Sequence, residues 1–487
     1  MDSFPLAEIV LVLYTFSLTI LLLFSSHGFV MLYYNYKFKR RDFSKSSIDT
    51  SKIVTIQLPL FNEINVVERL INAVCKIDYP KNNLEIQVLD DSTDETTQIV
   101  SDLVKLKINE GYKINHIRRD NRNGYKAGAL KEGLLKASGE FIAVFDADFI
   151  PQSNFLQKTL PHFHSNKIGM VQTRWEHLNE MNSLLTKVQA FALNGHFVIE
   201  QEVRNKSGFF INFNGTGGIW RKDCIEEAGN WQSDTLTEDL DLSFRAQING
   251  WSFIYLKDVT TPSELPSEIS SLKTQQFRWT KGAIETAKKL LPAIWSSKLS
   301  FKTKIYSTFH LTNNLVFPFV LLTGMLNVPL LFIKNGGEFN LVINFMSLFI
   351  LAFISTFLLY ILAQKGIHKD WIKRGLIFPI FVSGSMGMAI NNSRAVLEGL
   401  LNKKSEFIRT PKFSSNENTI NQKKYLTTPK ISLQLMFEIL FTIYSFAGVL
   451  IAIYFTEITA LPFHLMFFVG FFSVSALSLK QVLVNND

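Results

Sequence analysis

The chain has 487 residues, 47% of them apolar and 19% charged, with 43 Phe and a net charge of +8. It is too long for one ordinary core, and at a mean hydropathy of +0.13 too apolar for a wholly soluble protein, so membrane segments are expected. The two cysteines, Cys75 and Cys224, stand far apart without metal-ligand spacing, which excludes a disulfide framework or a cysteine-based zinc site.

In chain order, residues 7–34 form a first apolar run long enough to span a bilayer. It lacks a basic leader and a small-residue cleavage site, so no signal peptide is expected. Asp2 and Glu8 lie at its start and the basic run KFKRR follows at Lys37. That asymmetry places the N-terminus outside and the next segment in the cytoplasm. From residue 43 to about 290, short apolar runs alternate with polar helical ones, the pattern of an α/β domain. Beyond it, residues 307–333, 341–364, 433–455 and 461–480 read as further crossings, with Gly324 and Pro329 as the places where the first of these has room for a break. Residues 391–430 are rich in Lys and Arg and belong in the cytoplasm, as does the α/β domain. An even number of crossings must separate the two, so the apolar stretch 375–390 is expected to be interfacial or re-entrant, giving five crossings in all. The expected units are an N-terminal transmembrane helix with a basic flank (1–42), the cytoplasmic α/β domain (43–290), an interface helix with two crossings (291–374), the interfacial segment with a cytoplasmic loop (375–431), and two crossings with a short tail (432–487).

Two strand-like runs of the α/β domain end in acids. VLDDST places Asp90 and Asp91 at one terminus, and VFDADF places Asp146 and Asp148 at another. In open α/β sheets the ligand crevice lies at the carboxyl ends of the strands. Paired carboxylates there suit Mg2+ or Mn2+, which bridge phosphate oxygens. An Asp-rich turn capping the next helix, with Asp91-Ser92-Thr93 as the cap, is the alternative for either motif alone. Between them, NGYKAGALKEGL brings Lys126 to a helix start, where free backbone N–H groups already favour an anion such as phosphate. TLTEDLDL supplies Thr237, Glu238, Asp239 and Asp241, and Asp239 is the candidate base for taking a proton from an acceptor hydroxyl. QQFRW spaces Gln275, Arg278 and Trp279 at i, i+3 and i+4, on one helix face. Arg278 offers a planar fork for a pyrophosphate, Trp279 a flat ring for a sugar, and Gln275 a partner for a sugar hydroxyl. An interfacial helix anchored by Trp and Arg is the plainer reading of the same run.

Taken together, Asp90-Asp91, Asp146-Ala-Asp148, Glu238-Asp239 and Gln275-Gln-Phe-Arg278-Trp279 closely resemble the D, D-x-D, E-D and Q-x-x-R-W pattern of processive family-2 inverting glycosyltransferases of the cellulose-synthase superfamily. The wording of QLPLFNE, IQVLDDSTD, FNGTGGIWR and SELPSE is most similar to the cellulose-synthase-like A mannan and glucomannan synthases. The resemblance covers about residues 50–290. It implies a GT-A, Rossmann-like nucleotide-sugar domain carried by an α-helical multi-pass membrane protein, with a divalent cation and a nucleotide-diphosphate sugar. By that resemblance Asp90 and Asp91 bind the nucleotide, Asp146 joins the donor site and Asp148 binds the metal. Lys126 contacts phosphate, Glu238 joins the substrate-binding residues beside the base Asp239, and Gln275, Arg278 and Trp279 handle acceptor and pyrophosphate. FIRTPK, from Phe407, resembles the gating loop of these synthases, with Thr410 and Lys412 reaching the diphosphate. The chain ends soon after its last crossing, so no C-terminal regulatory domain is expected. The implied activity is hexose transfer, from GDP-mannose or UDP-glucose, to a growing β-linked polysaccharide that is then extruded; the alternative is a single transfer to a membrane lipid. Nucleic acid is not an expected partner, because the domain carries many acids and no basic stripe. The sequons at Asn205 and Asn214 lie in the cytoplasmic domain and are not expected to be glycosylated.

Overall fold

Four apolar runs, each bounded by polar turns, become neighbouring parallel strands: β1 (Val54–Leu60), β2 (Leu84–Asp90), β3 (Lys113–Arg118) and β4 (Phe141–Val144). In this computed structural model, which describes residues 4–38, 43–337, 339–405 and 432–484, they join β5 (Ile168–His177), β6 (Gly218–Arg221) and β7 (Ser252–Ser263) in one seven-stranded sheet of order β3-β2-β1-β4-β6-β5-β7. β6 runs antiparallel to both its neighbours, and β5 pairs with β7 in parallel. β1 and β4 are buried almost throughout because helices cover both faces, as parallel sheets require. One core holds Ile56, Val88, Phe145 and Phe155, and the other Leu130, Trp220, Trp231 and Leu242. Even the polar Gln57 and Gln87 face each other inside, with Gln57 Nε2 donating to Gln87 Oε1 at 3.0 Å.

The helices that matter for the site are α1 (Phe4–Lys37), α2 (Tyr125–Lys136), α3 (Glu238–Ile248), α4 (Ile269–Ser296), α5 (Ala389–Leu400), α6 (Leu433–Tyr454) and α7 (Leu461–Val484). Gly124, at φ +71°, makes the left-handed turn into α2 that a side chain would resist. Among the described residues five helical stretches are long and apolar enough to cross a membrane: Leu6–Lys37, Phe301–Gly336, Asn340–Ile367, Leu433–Tyr454 and Leu461–Leu483. They match the five crossings expected in number and place.

The details differ in two respects. The second stretch is interrupted at Asn313–Leu315, where a short 3-10 turn separates Phe301–Thr312 from Val316–Gly336. It is not broken at Gly324 or Pro329; the helix runs through both. The boundary at 290 falls inside α4, which continues to Ser296. Residues 375–390, expected to be interfacial or re-entrant, form the helix Phe378–Gly387, with α5 following at once. The first of these packs against α7 and the second against α4, with Gly387 and Gly470 allowing the two backbones to meet.

Candidate active site

The site forms where the carboxyl ends of β1, β2 and β4 meet the starts of α2 and α3 and the first half of α4. A cavity of about 210 Å3 opens there. Its charged wall holds Asp91, Lys126, Asp146, Asp148, Glu238 and Asp239, and α4 adds Gln275, Arg278 and Trp279. Nine expected site residues thus share one space, although the sequence separates the first from the last by almost two hundred positions.

Lys126 is the hub. Its Nζ lies 2.7 Å from Asp146 Oδ1 and 3.9 Å from Glu238 Oε1, and it donates to the Gly215 carbonyl at 2.8 Å. Burial alone would lower its pKa, but Asp146, Glu238 and Asp239 outweigh burial and raise it, so the ammonium stays charged. Asp239 shows the opposite balance. Burial pushes its carboxyl up, Glu238 pushes further, and Lys126 only partly opposes them, which leaves it at about 7. Its Oδ1 accepts from the Leu240 N–H at 2.9 Å, which fixes the carboxylate at the first turn of α3. A carboxyl that titrates near neutrality inside a cavity can take up a proton and release it again.

Asp90, expected beside Asp91 at the nucleotide, is placed differently from it. It is 1% exposed and does not line the cavity. Its Oδ1 accepts from the Ser92 N–H at 2.9 Å, and its Oδ2 lies 2.9 Å from His116 Nε2 on β3. Burial would raise its pKa, but the bonds from His116 and Ser92 outweigh burial and hold it below the ordinary carboxylate range. Asp90 therefore braces the end of β2, and Asp91 is the one that faces the cavity. Nor do Asp91, Ser92 and Thr93 cap the next helix, which starts later, at Thr96. Thr410 and Lys412, with the rest of FIRTPK, lie outside the described residues.

Several residues that shape the site were not singled out in the sequence. Arg119 grips Asp91 with Nε at 2.9 Å from Oδ1 and Nη2 on Oδ2. It also donates to the Asn123 and Tyr125 carbonyls at 2.9 and 3.0 Å, closing the loop that leads to α2. A basic pair, Arg118-Arg119, at the end of the strand beside β2 was the available signal. Gly215, at φ +78°, lies so close to the acids that an added Cβ would meet Asp239 Oδ2 at 3.0 Å and Lys126 Nζ at 3.3 Å. Trp175 on β5 lines the same cavity with its ring 6.4 Å from that of Trp279, and its indole N–H is buried without a hydrogen-bond partner among the described residues. Asn205 and Asn214, the two sequon asparagines, are both buried.

Arg278 is drawn towards the same charges. Burial lowers its pKa, against the pull of Glu238, Asp146 and Asp239. Among the described residues no group of three or more His, Cys, Asp or Glu side chains is arranged to hold a metal ion. Asp146 and Asp148 nonetheless supply two hard oxygen donors to the cavity. A Mg2+ or Mn2+ held by one or two carboxylates together with phosphates and water needs no more from the protein. The pair fits a cation that arrives with a diphosphate.

Comparison with known proteins bears on the domain that carries this cavity. A family described as glycosyltransferase-like family 2 matches residues 51–282. Glucomannan 4-beta-mannosyltransferase 9 of Arabidopsis thaliana is 42% identical over 275 residues, covering 54% of this chain and 51% of that protein. Probable glucomannan 4-beta-mannosyltransferase 7 of Oryza sativa subsp. japonica is 36% identical over 370 residues, covering 72% of this chain and 59% of that protein. The chain spans about half the length of the first of these relatives. Among solved structures, the mannosyltransferase PcManGT from Pyrobaculum calidifontis, in complex with GDP-Man and Mn2+, superposes with a TM-score of 0.51 at 17% identity, over 80% of this chain and 100% of that one. That likeness is one of fold. Residues 51–282 are therefore a glycosyltransferase family 2 domain with a GT-A-like mixed sheet, carried in a chain with five candidate membrane-spanning helices.

Proposed function

We propose that the protein is a membrane-embedded inverting glycosyltransferase that moves a hexose from a nucleotide-diphosphate sugar to a growing β-linked polysaccharide and passes the product through its membrane helices. The observation that carries the reading is Asp239, a buried carboxyl raised to about 7 in a cavity it shares with Lys126, Asp146, Asp148, Arg278 and Trp279. The curated relatives are named mannosyltransferases, and PcManGT was solved with GDP-Man and Mn2+. Both favour GDP-mannose over UDP-glucose as the donor.

In this reading the acceptor hydroxyl lies against Asp239. The carboxylate takes its proton as the oxygen attacks the anomeric carbon, and the bond from that carbon to the diphosphate breaks on the opposite face. The configuration inverts, and the nucleoside diphosphate leaves with the bonding pair. Lys126 and Arg278 balance the charge that grows on the diphosphate. Asp148, with Asp146, would hold the divalent cation, which when bound neutralises part of the diphosphate charge. Trp279 and Trp175 form the corner against which the acceptor sugar rests, and a sugar hydroxyl there would accept from the Trp175 N–H. The segments 1–42, 291–374, 375–431 and 432–487 serve as the membrane and interface parts around the catalytic unit 43–290, with Thr410 and Lys412 contributing to the diphosphate from the cytoplasmic loop.

The test is purified protein in nanodiscs, offered GDP-mannose, UDP-glucose and other nucleotide sugars with Mg2+ or Mn2+. The product is sized and digested with linkage-specific hydrolases. A polymer cut by a β-specific hydrolase is expected, and its formation stops in Asp148→Ala or in excess chelator. A product that never exceeds one added sugar on a lipid would replace the synthase reading with single transfer.

A further inference from the structure

We propose that Lys273 and Lys281 are positioning residues for transfer: they anchor α4 on either side of the Gln275–Trp279 stretch and so set where Arg278 and Trp279 stand relative to Asp239. The inference rests on the functional reading above, but its geometry does not.

Lys273 lies two residues before Gln275. Its Nζ is 2.6 Å from Glu438 Oε2 on α6 and 2.7 Å from Ser478 Oγ on α7. Glu438 is fully buried, inside the candidate span Leu433–Tyr454. Gln434 donates to the other Glu438 oxygen at 2.9 Å and to Asn391 Oδ1 at 3.2 Å. Asn391, on α5, donates in turn to the Lys273 carbonyl at 3.1 Å. One polar knot thus joins α4, α5, α6 and α7. A buried carboxylate in an apolar helix is costly to keep, and removing the Lys273 cation that pairs with it would cost more than the pair itself contributes.

Lys281 lies two residues after Trp279 and is fully buried. Its Nζ donates to the Lys403 carbonyl and the Ser405 hydroxyl and lies 3.5 Å from Glu398 Oε2 on α5. Glu398 is also held by Arg394 at 2.9 Å and Lys403 at 3.4 Å. The two lysines are eight residues apart, about 12 Å along the helix at ~1.5 Å per residue. The stretch between them carries all three expected site residues of α4.

The other side of α4 rests on the turn that carries the base. A Cβ on Gly282 would lie 2.6 Å from Thr237 Cγ2 and 2.9 Å from the Thr237 N, so helix and turn touch with nothing between. The hydroxyls of Thr237 and Thr286 are 3.3 Å apart, and the Leu236 N–H donates to Glu285 Oε2 at 2.9 Å. Thr237 directly precedes Glu238 and Asp239. A slide of α4 therefore displaces Arg278 and Trp279 and disturbs the turn under Asp239 together.

The test combines kinetics with a geometric probe that needs no activity. Cysteines at Thr237 and Thr286 report the α4 contact through their rate of disulfide trapping. Lys273→Met and Glu438→Gln are each compared with the charge-swapped Lys273→Glu/Glu438→Lys, and Lys281→Met with Lys281→Arg. Lys273→Met, Glu438→Gln and Lys281→Met are expected to lower the kcat for transfer by about tenfold or more with donor KM within about twofold, since misplacement by about an ångström costs rate before it costs donor binding. Trapping slows in the same variants, and the swap and Lys281→Arg recover both readouts at least in part. Folded single variants with wild-type kcat and wild-type trapping overturn the proposal. So does a fall in melting temperature alone, with both readouts intact, because the lysines are then structural only. If Lys273→Met or Lys281→Met does not fold, the swap and Lys281→Arg decide by the same two readouts. If the wild type turns over no nucleotide sugar, the functional reading falls, and the trapping rates still judge the anchors.

Discussion

At the scale of single residues, the proposed chemistry depends on how two neighbours act on the charge of Asp239. Burial and Glu238 raise its carboxyl to about 7, and Lys126 works against them. A base acts in its deprotonated form, so transfer falls as pH drops through that value, by about tenfold per unit once well below it. Removing the cation in Lys126→Met raises the carboxyl further and moves this acid limb to higher pH. Removing the like charge in Glu238→Gln lowers it and moves the limb to lower pH. A pH–rate profile of kcat for the three proteins checks both signs, and a limb that stays put in both variants would assign it to another group. Gly215 is the second test at this scale. Gly215→Ala combines a left-handed φ of +78° with a Cβ 3.0 Å from Asp239 Oδ2. It is expected to lower transfer by about tenfold, because strain of about 1–2 kcal/mol falls on the residue that touches the base. Wild-type turnover in Gly215→Ala would show that the loop yields freely. The carboxylates were legible in the sequence because two acid-ended strand runs recur in one α/β domain, where either alone reads equally as a helix cap. Gly215 was not, since its meaning comes from a contact with residues on two other elements. Asp90 looked equivalent to Asp91 for a related reason: adjacent side chains at a strand end point opposite ways, and only the neighbouring strand, with His116, decides which faces the ligand.

Among the elements, α4 is where the proposed division between acceptor and donor falls. Trp279 meets Trp175 on the apolar side of the cavity, and Arg278 lies towards the acids. Trp279→Ala should loosen the acceptor by about 1–3 kcal/mol, on the scale of aromatic stacking with nucleobases. Polymer then disappears while donor hydrolysis, with water as acceptor, persists. Arg278→Ala should lower hydrolysis and transfer together, since the diphosphate leaves in both. Nucleotide release measured beside product length separates the two, and equal loss of both activities in Trp279→Ala would count against its acceptor role. The helical spacing of Gln275, Arg278 and Trp279 was enough to place them on one face. The helix breaks were harder to read. Pro329 sits inside an unbroken helix, because packed neighbours in a membrane bundle tolerate the lost backbone bond. The interruption comes instead at Asn313–Leu315, a 3-10 turn that opens on the polar pair Asn313-Asn314 and that no periodicity announces. The lysines that bracket QQFRW were equally hidden. Their partners, Glu438, Glu398 and Ser405, follow them by more than a hundred residues.

For the whole molecule, the order of α/β domain and apolar helices was plain from hydropathy, since a crossing needs a long apolar run that little else in a sequence imitates. Sidedness is a separate claim, resting on where Lys and Arg accumulate. Lys404 is exposed just beyond the end of α5, and Gly336 is exposed at the far end of the second candidate span, beside the Lys334–Glu457 pair. A cysteine at Lys404 should react with a membrane-impermeant reagent only from the cytoplasmic side, and one at Gly336 only from outside. Labelling of both from one side would mean that 375–390 or its neighbours cross differently. All of these expectations assume that the cavity transfers sugar with Asp239 as its base, and single-turnover transfer by Asp239→Asn, with donor binding measured on the same samples, tests that most directly. Donor binding is expected close to wild type and transfer lower by about 10²-fold or more. An Asn variant that transfers at the wild-type rate, or one whose donor affinity collapses while its residual turnover stays high, would contradict it.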